Sequence, residues 1–210
     1  VGKEDVLLIL VNGAYGERIV KMATIHQLKH HVLRFPEDEI VTPEATQKFL
    51  EAHADVTHVA CIDSETTTGL FNPIEKIGAV CKQHNTVFIV DAMSSFGGVE
   101  MDMKKSQIDF LVSSSNKCIE GVPGFAFSLC RKSELEKAKG QARSLSLDLY
   151  EQWAGLEASG QFRFTPPTLS LMAFRQAMRE LEKEGGIKAR ERRYRENKQV
   201  LDEGMSALGF

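Results

Sequence analysis

Apolar residues recur along this chain in short unbroken runs, and small or polar residues gather just after each run. Val6, Leu7, Leu8, Ile9, Leu10 and Val11 leave no polar position, the signature of a strand covered on both faces. Residues 32–35, 57–62, 86–90, 108–112 and 123–129 read as further strands. Between them the spacing turns helical. Residues 17–28 place Ile19, Met22, Ala23 and His26 on one face. Thr42-Pro43-Glu44 opens a helix to residue 53 with a capping threonine. Asn72-Pro73-Ile74-Glu75 resembles a capping box, and Ile77, Val80 and Cys81 follow on an inward face.

Residues 102–106 form a short helix or turn, 132–139 a short exposed helix, and 148–157 a helix around Trp153. Phe162 to Thr168 is held extended by two prolines, after which Thr168 caps a helix to residue 183. Glu184-Gly185-Gly186 ends that helix and 187–207 forms another. Strands and helices alternate, which predicts an α/β fold: a mostly parallel sheet sandwiched by helices. Residues 1–185 read as one large domain, and 186–210 as a long helix leading toward a smaller one. Both ends read as cut: Val1 leads straight into a strand, and the chain stops just after a helix.

Composition narrows the class. With 42% hydrophobic and 26% charged residues and a net charge of -3, the chain reads as a globular protein without an electrostatic reason to bind nucleic acid or membrane. No apolar run approaches bilayer length, and no signal segment opens the chain, so a cytoplasmic setting is expected. Cys61, Cys81, Cys118 and Cys130 lack metal or disulfide spacing and read as reduced thiols. His26, His30 and His31 suggest a metal only through the four-residue spacing of the first two, and no further ligand or carboxylate cluster accompanies them. The basic run from Lys188 to Glu196 is interleaved with glutamates and reads as a solvated helix face.

Chemistry concentrates at strand ends. Thr68, Asp91 and Lys117 each follow an apolar run, so a parallel sheet gathers a hydroxyl, a carboxylate and an amine along its carboxyl edge, where ligands collect in such folds. A lysine there can capture an aldehyde once partial burial makes its amine neutral, and an aspartate can hold a pyridine nitrogen protonated. That is the requirement of pyridoxal 5'-phosphate. Gly13 and Gly16 flank a strand-to-helix turn that suits either a phosphate or ordinary tight packing. Asp91 could instead cap a turn through Ser94 or Ser95.

Two stretches carry a resemblance. Asp91-Ala92-Met93-Ser94-Ser95-Phe96-Gly97-Gly98 and Ser113-Ser114-Ser115-Asn116-Lys117-Cys118 with Gly121-Val122-Pro123-Gly124-Phe125 resemble the class V aminotransferases of pyridoxal phosphate fold type I. The runs 65–70, 143–150 and 163–168 are similar to the branch that moves the amino group of 2-aminoethylphosphonate to pyruvate, leaving phosphonoacetaldehyde and alanine. The resemblance implies Lys117 as the Schiff-base lysine and proton shuttle, and Asp91 as partner of the pyridine nitrogen. It implies Tyr15 stacked on the cofactor ring, Met93 on the opposite face, Thr68 at the phenolic oxygen and Asn116 at the phosphate. It also implies a homodimer in which Thr165 reaches the phosphate of the other subunit. Arg143 is the candidate for the phosphonate, with a surface ion pair as the other reading. An alanine:glyoxylate or serine:pyruvate aminotransferase and a non-catalytic scaffold are the competing readings.

Overall fold

The apolar runs become one six-stranded sheet in a computed structural model that describes residues 1–210. Its strands are β1 (Val6–Val11), β2 (Lys29–Arg34), β3 (His58–Ile62), β6 (Val87–Asp91), β7 (Phe110–Ser114) and β8 (Ala126–Cys130), in the order β2-β1-β3-β6-β7-β8. Between β3 and β6 the strands β4 (Ser64–Glu65) and β5 (Leu70–Phe71) form a small antiparallel hairpin. Every pairing from β2 to β7 is parallel, so the carboxyl ends of β1, β3, β6 and β7 share one edge. Chain order reverses between β1 and β3, the topological switch point where such sheets open a crevice.

The helices are α1 (Ala14–Ile25), α2 (Pro43–Ala52), α3 (Ile74–Gln83), α4 (Lys132–Lys137), α5 (Leu149–Ser159), α6 (Thr168–Glu184) and α7 (Ile187–Ala207). α1 packs on β1, β2 and β3, while α3 packs on β6 and on α2. Leu8, Ile9, Val59, Phe88, Val90 and Leu111 are buried completely, and Ile77 brings α3 into the same core. None of the helices is long and apolar enough to cross a membrane.

The chain divides into two compact units. Val1–Ser94, Asp102–Ser113 and Phe127–Pro166 make the first; Ser95–Met101, Ser114–Ala126 and Pro167–Phe210 make the second. The first holds the sheet and α1 to α5, and the second holds α6, α7 and the loop that carries Lys117.

Several local expectations change. α1 starts three residues early and stops at Ile25, because Gln27 takes a left-handed backbone (φ 53°) that ends the helix. His26 is therefore its cap, and His30 lies on β2, so the two are not neighbours on one helical face. Met22 is 48% exposed, and Ala23 alone of the four predicted inward residues is buried. Pro73 is the cap residue of α3, with no capping box: Asn72 turns inward to other partners. Thr168 is the first residue of α6 and Pro167 its cap. Thr42 caps α2 as expected, its hydroxyl accepting from Ala45 N at 3.3 Å.

Candidate functional site

In the first unit, three of the predicted residues lie on elements that leave the carboxyl edge of the sheet. Tyr15 is in the first turn of α1, just after β1; Thr68 is in the turn of the β4–β5 hairpin that follows β3; Asp91 is the last residue of β6. Register makes Asp91 the neighbour of Ile62, and Asp63 N donates to Asp91 O at 2.9 Å, so the hairpin starts beside the aspartate.

Glu65 ties these elements together. Its side chain is fully buried, with Oε1 accepting from Gly16 N at 2.8 Å and Oε2 from Tyr15 N at 3.2 Å. A carboxylate on the free N–H groups of a helix start satisfies donors that have no partner within the helix and meets the positive end of its dipole. Gly13 makes room for it, since a Cβ there would lie 2.7 Å from Glu65 Cδ. The glycine turn that could have approached a phosphate is thus already filled by an internal anion.

Two more links complete the edge. Thr66 Oγ1 and Ser94 Oγ share a 2.6 Å hydrogen bond between the hairpin and the loop after β6. Asn12 and Asn72 exchange amide hydrogen bonds at 2.9 and 3.0 Å, and Asn72 also donates to Ile62 O. Both amides are buried, so their mutual pairing removes polar groups that would otherwise be costly there.

The Asp91 carboxylate is half-buried, and burial raises its pKa against the opposing effects of a hydrogen bond from Met93 N and the Arg18 guanidinium. Oδ1 accepts from Met93 N at 2.9 Å, an Asx turn two residues on. The turn thus forms through Met93, not through Ser94 or Ser95, and Oδ2 receives no hydrogen bond. Thr68 is exposed; its Oγ1 accepts a long contact from Leu70 N at 3.4 Å and its hydroxyl proton is uncommitted. Tyr15 is half-buried, and the Arg18 guanidinium lies 4.6 Å from its ring centre, engaging one face of the ring. A carboxylate oxygen, a hydroxyl and an aromatic ring are left available together, a donor set that suits a flat, basic heteroaromatic ring. These residues fit pyridoxal phosphate.

In the second unit, Lys117 lies three residues beyond β7 in a loop folded back on itself. Gly121 N donates to Ser115 O at 2.9 Å, Glu120 N to Lys117 O at 2.7 Å, and Ser115 Oγ to Val122 O at 2.7 Å. Ile119 is buried while Asn116 and Lys117 are exposed, so the loop presents both side chains outward. The partial burial expected of the lysine is absent, because its neighbours fill the interior.

Arg143 does not join the other candidates. Its loop borders a cavity of about 580 Å³ lined by Asp5, Thr57, His58 and Val87, at the amino ends of the strands. Within one chain, Arg143 thus lies at the opposite edge of the sheet from Asp91. Thr165 is exposed in the irregular segment before α6, and Met93 is half-buried beside Asp91.

Sequence pattern assigns no site role to Glu65, Arg18, Asn12 or Arg190, and marks Asn72 as a helix cap. Arg190 belongs to a run whose spacing predicts a solvated face, yet it is 2% exposed. For Glu65 the available signal was an acidic residue three positions after a buried strand.

Comparison with known proteins adds the family. The family model described as Aminotransferase class-V matches residues 1–210. A 2-aminoethylphosphonate–pyruvate transaminase of Bacteroides fragilis is 52% identical over 211 residues, covering 100% of this chain and 58% of its own length. One from Lysinibacillus sphaericus is 52% identical over 210 residues, covering 100% of this chain and 57% of its own. The chain thus spans well under two thirds of these relatives. The crystal structure of an alanine–glyoxylate aminotransferase from Nostoc sp. superposes with a TM-score of 0.89 at 27% identity, covering 100% of this chain and 56% of that one.

Proposed function

Because the chain belongs to the class V aminotransferase family, we propose that it is part of a pyridoxal phosphate-dependent transaminase that moves the amino group of 2-aminoethylphosphonate to pyruvate. The observation that carries the reading is Asp91: a half-buried carboxylate at the carboxyl edge of a parallel sheet, with one oxygen unclaimed. The choice of substrates is supported by 52% identity to transaminases named for them, against 27% for the alanine–glyoxylate enzyme.

When bound, the cofactor supplies an aldehyde for an amine to capture and a ring that accepts electrons. Asp91 Oδ2 would hold the proton on the pyridine nitrogen. Tyr15, through the face not engaged by Arg18, and Met93 would hold the ring, and the Thr68 hydroxyl would donate to the phenolic oxygen. Asn116 would hold the phosphate, with Thr165 of the partner subunit in a homodimer. Lys117 Nζ would be the amine that holds the cofactor's aldehyde carbon, and the group that moves a proton beside it. Arg143 has no part in this set. Residues 1–185 form the large cofactor domain and 186–210 the helix toward a smaller one, in a cytoplasmic protein.

The test is an amino-donor comparison on the protein, with 2-aminoethylphosphonate, alanine and serine offered in turn. Turnover of 2-aminoethylphosphonate with pyruvate is expected, and its loss in Lys117→Ala. Turnover confined to alanine or serine with glyoxylate would reject the substrate assignment.

A further inference from the structure

The loop of Lys117 is gripped from one side by α7. Arg190 of that helix is buried, and its Nη1 donates to Cys118 O at 2.7 Å, one residue beyond the lysine. Its Nε donates to Glu184 Oε2 at 3.0 Å and Nη2 to the same oxygen at 2.6 Å, while Nη2 also lies 3.5 Å from Glu120 Oε2. Glu184 is in turn held by Arg193 Nε at 2.9 Å, and Arg193 Nη2 reaches Glu120 at 2.8 Å. Tyr194 OH donates to Glu120 Oε1 at 2.8 Å. The network therefore touches the loop twice, at the Cys118 carbonyl and at the Glu120 side chain, on either side of the buried Ile119.

Two features say that this grip sets the loop's shape. Glu120 has a left-handed backbone (φ 63°), a conformation that a residue with a side chain holds only when its surroundings impose it. Behind the loop the chain approaches so closely that a Cβ on Gly97 would meet Ile119 Cγ1 at 2.7 Å, and one on Gly98 would meet Cys118 Sγ at 2.6 Å. The loop is thus pressed between a glycine pair and a guanidinium. A buried arginine is costly unless each of its donors is matched. Tying α6 to α7 needs only Glu184, so the bond to Cys118 O and the approach to Glu120 serve the loop.

We infer that Arg190 is a positioning residue for Lys117: it fixes the backbone from which the amine projects, with Glu184 and Arg193 orienting it in turn. A lysine could not replace it, because an ammonium on a flexible stem does not reproduce a planar fork reaching a carbonyl and a carboxylate together.

The inference rests on the assignment of Lys117 above, and the two can fail separately. Wild-type protein is incubated with pyridoxal phosphate, its visible band is titrated with pH, and the adduct is trapped with borohydride and mapped. No band, or label away from Lys117, overturns the cofactor assignment itself. Given label at Lys117, Arg190→Lys protein with wild-type circular dichroism is expected to label about tenfold more slowly, a part of the ~100-fold penalty that a misplacement of about 1 Å can carry. The midpoint of its band should also move, and amides 115–121 should exchange faster while those of β1 and β3 stay unchanged. Labelling and midpoint indistinguishable from wild type would overturn the positioning role. Should Arg190→Lys not fold, Arg193→Gln decides: a smaller slowing in the same direction supports the role, and unchanged labelling overturns it.

Discussion

Glu65 shows how one side chain can set the shape of a ligand edge without being offered to the ligand. Both its oxygens are spent on backbone N–H groups of α1, and the helix start they hold carries Tyr15. Buried donors that lose a charged acceptor cost more than an ordinary exposed hydrogen bond returns. Glu65→Gln keeps one acceptor oxygen but turns an NH₂ group toward a backbone N–H. The expected destabilisation is about 1–3 kcal/mol, the cost of leaving a buried donor unpaired, read as a lowered thermal midpoint. An unchanged midpoint would mean that water or a shifted backbone replaces the carboxylate. The same residue explains why Gly13 is a glycine although its φ of 172° is extended backbone open to any residue: space decides, not conformation.

At the scale of elements, α3 shows close approach of another kind. Gly78 faces the turn before β7, and a Cβ there would stand 1.9 Å from the Ser106 carbonyl oxygen. Alanine is favoured over glycine inside a helix by about 1 kcal/mol. Here the obstacle is backbone, which cannot rotate away, and overpacking penalties of about 1–3 kcal/mol or more outweigh the gain. Gly78→Ala is therefore expected to lower stability in chemical denaturation, with the reverse sign sinking this account of α3 packing. The helix must sit this close because Ile77 beside it is completely buried in the core. α7 behaves differently along its length: its first turns hold the Lys117 loop through Arg190, whereas residues 195–210 are exposed and carry pairs along their own surface, such as Gln199 with Glu203 at 2.8 Å.

For the whole molecule, pH separates groups that support the fold from those that burden it. Glu184 has its pKa lowered by hydrogen bonds from Arg193 and Arg190, and Glu120 by Arg193 first. Their support is complete above the ordinary carboxylate pKa and is lost as pH falls through their depressed values. Asp91 is the opposite case, its pKa raised chiefly by burial. Its ionised form burdens the fold above that raised value, and the burden lifts as pH falls toward the ordinary carboxylate range. Thermal midpoints against pH should therefore find Asp91→Asn more stable than wild type at neutral pH, the gap closing on acidification. Glu184→Gln should be less stable at neutral pH, its gap closing only at lower pH. A stabilising gap for Asp91→Asn that widened on acidification would contradict this assignment. A carboxylate kept at a cost to stability is what a site held for ligand chemistry presents.

The sequence by itself determined the strand runs, their parallel α/β arrangement and the edge on which Thr68 and Asp91 fall, because burial on both faces leaves a continuous apolar signature and chain order then dictates which ends align. It also carried the family, since the motifs around Asp91 and Lys117 are contiguous in the chain. Only the tertiary structure decided what Glu65 and Arg190 do. Glu65 acts on residues 49 and 50 positions away, and Arg190 on one 72 positions away. Local pattern marks Arg190 as one more charge on a basic helix, and Arg143 as a basic residue near a motif. Packing buries the first against a carbonyl and sets the second at the far edge of the sheet. A charged side chain's role follows from which distant polar groups meet it once water is excluded, and that pairing exists only after the chain has folded.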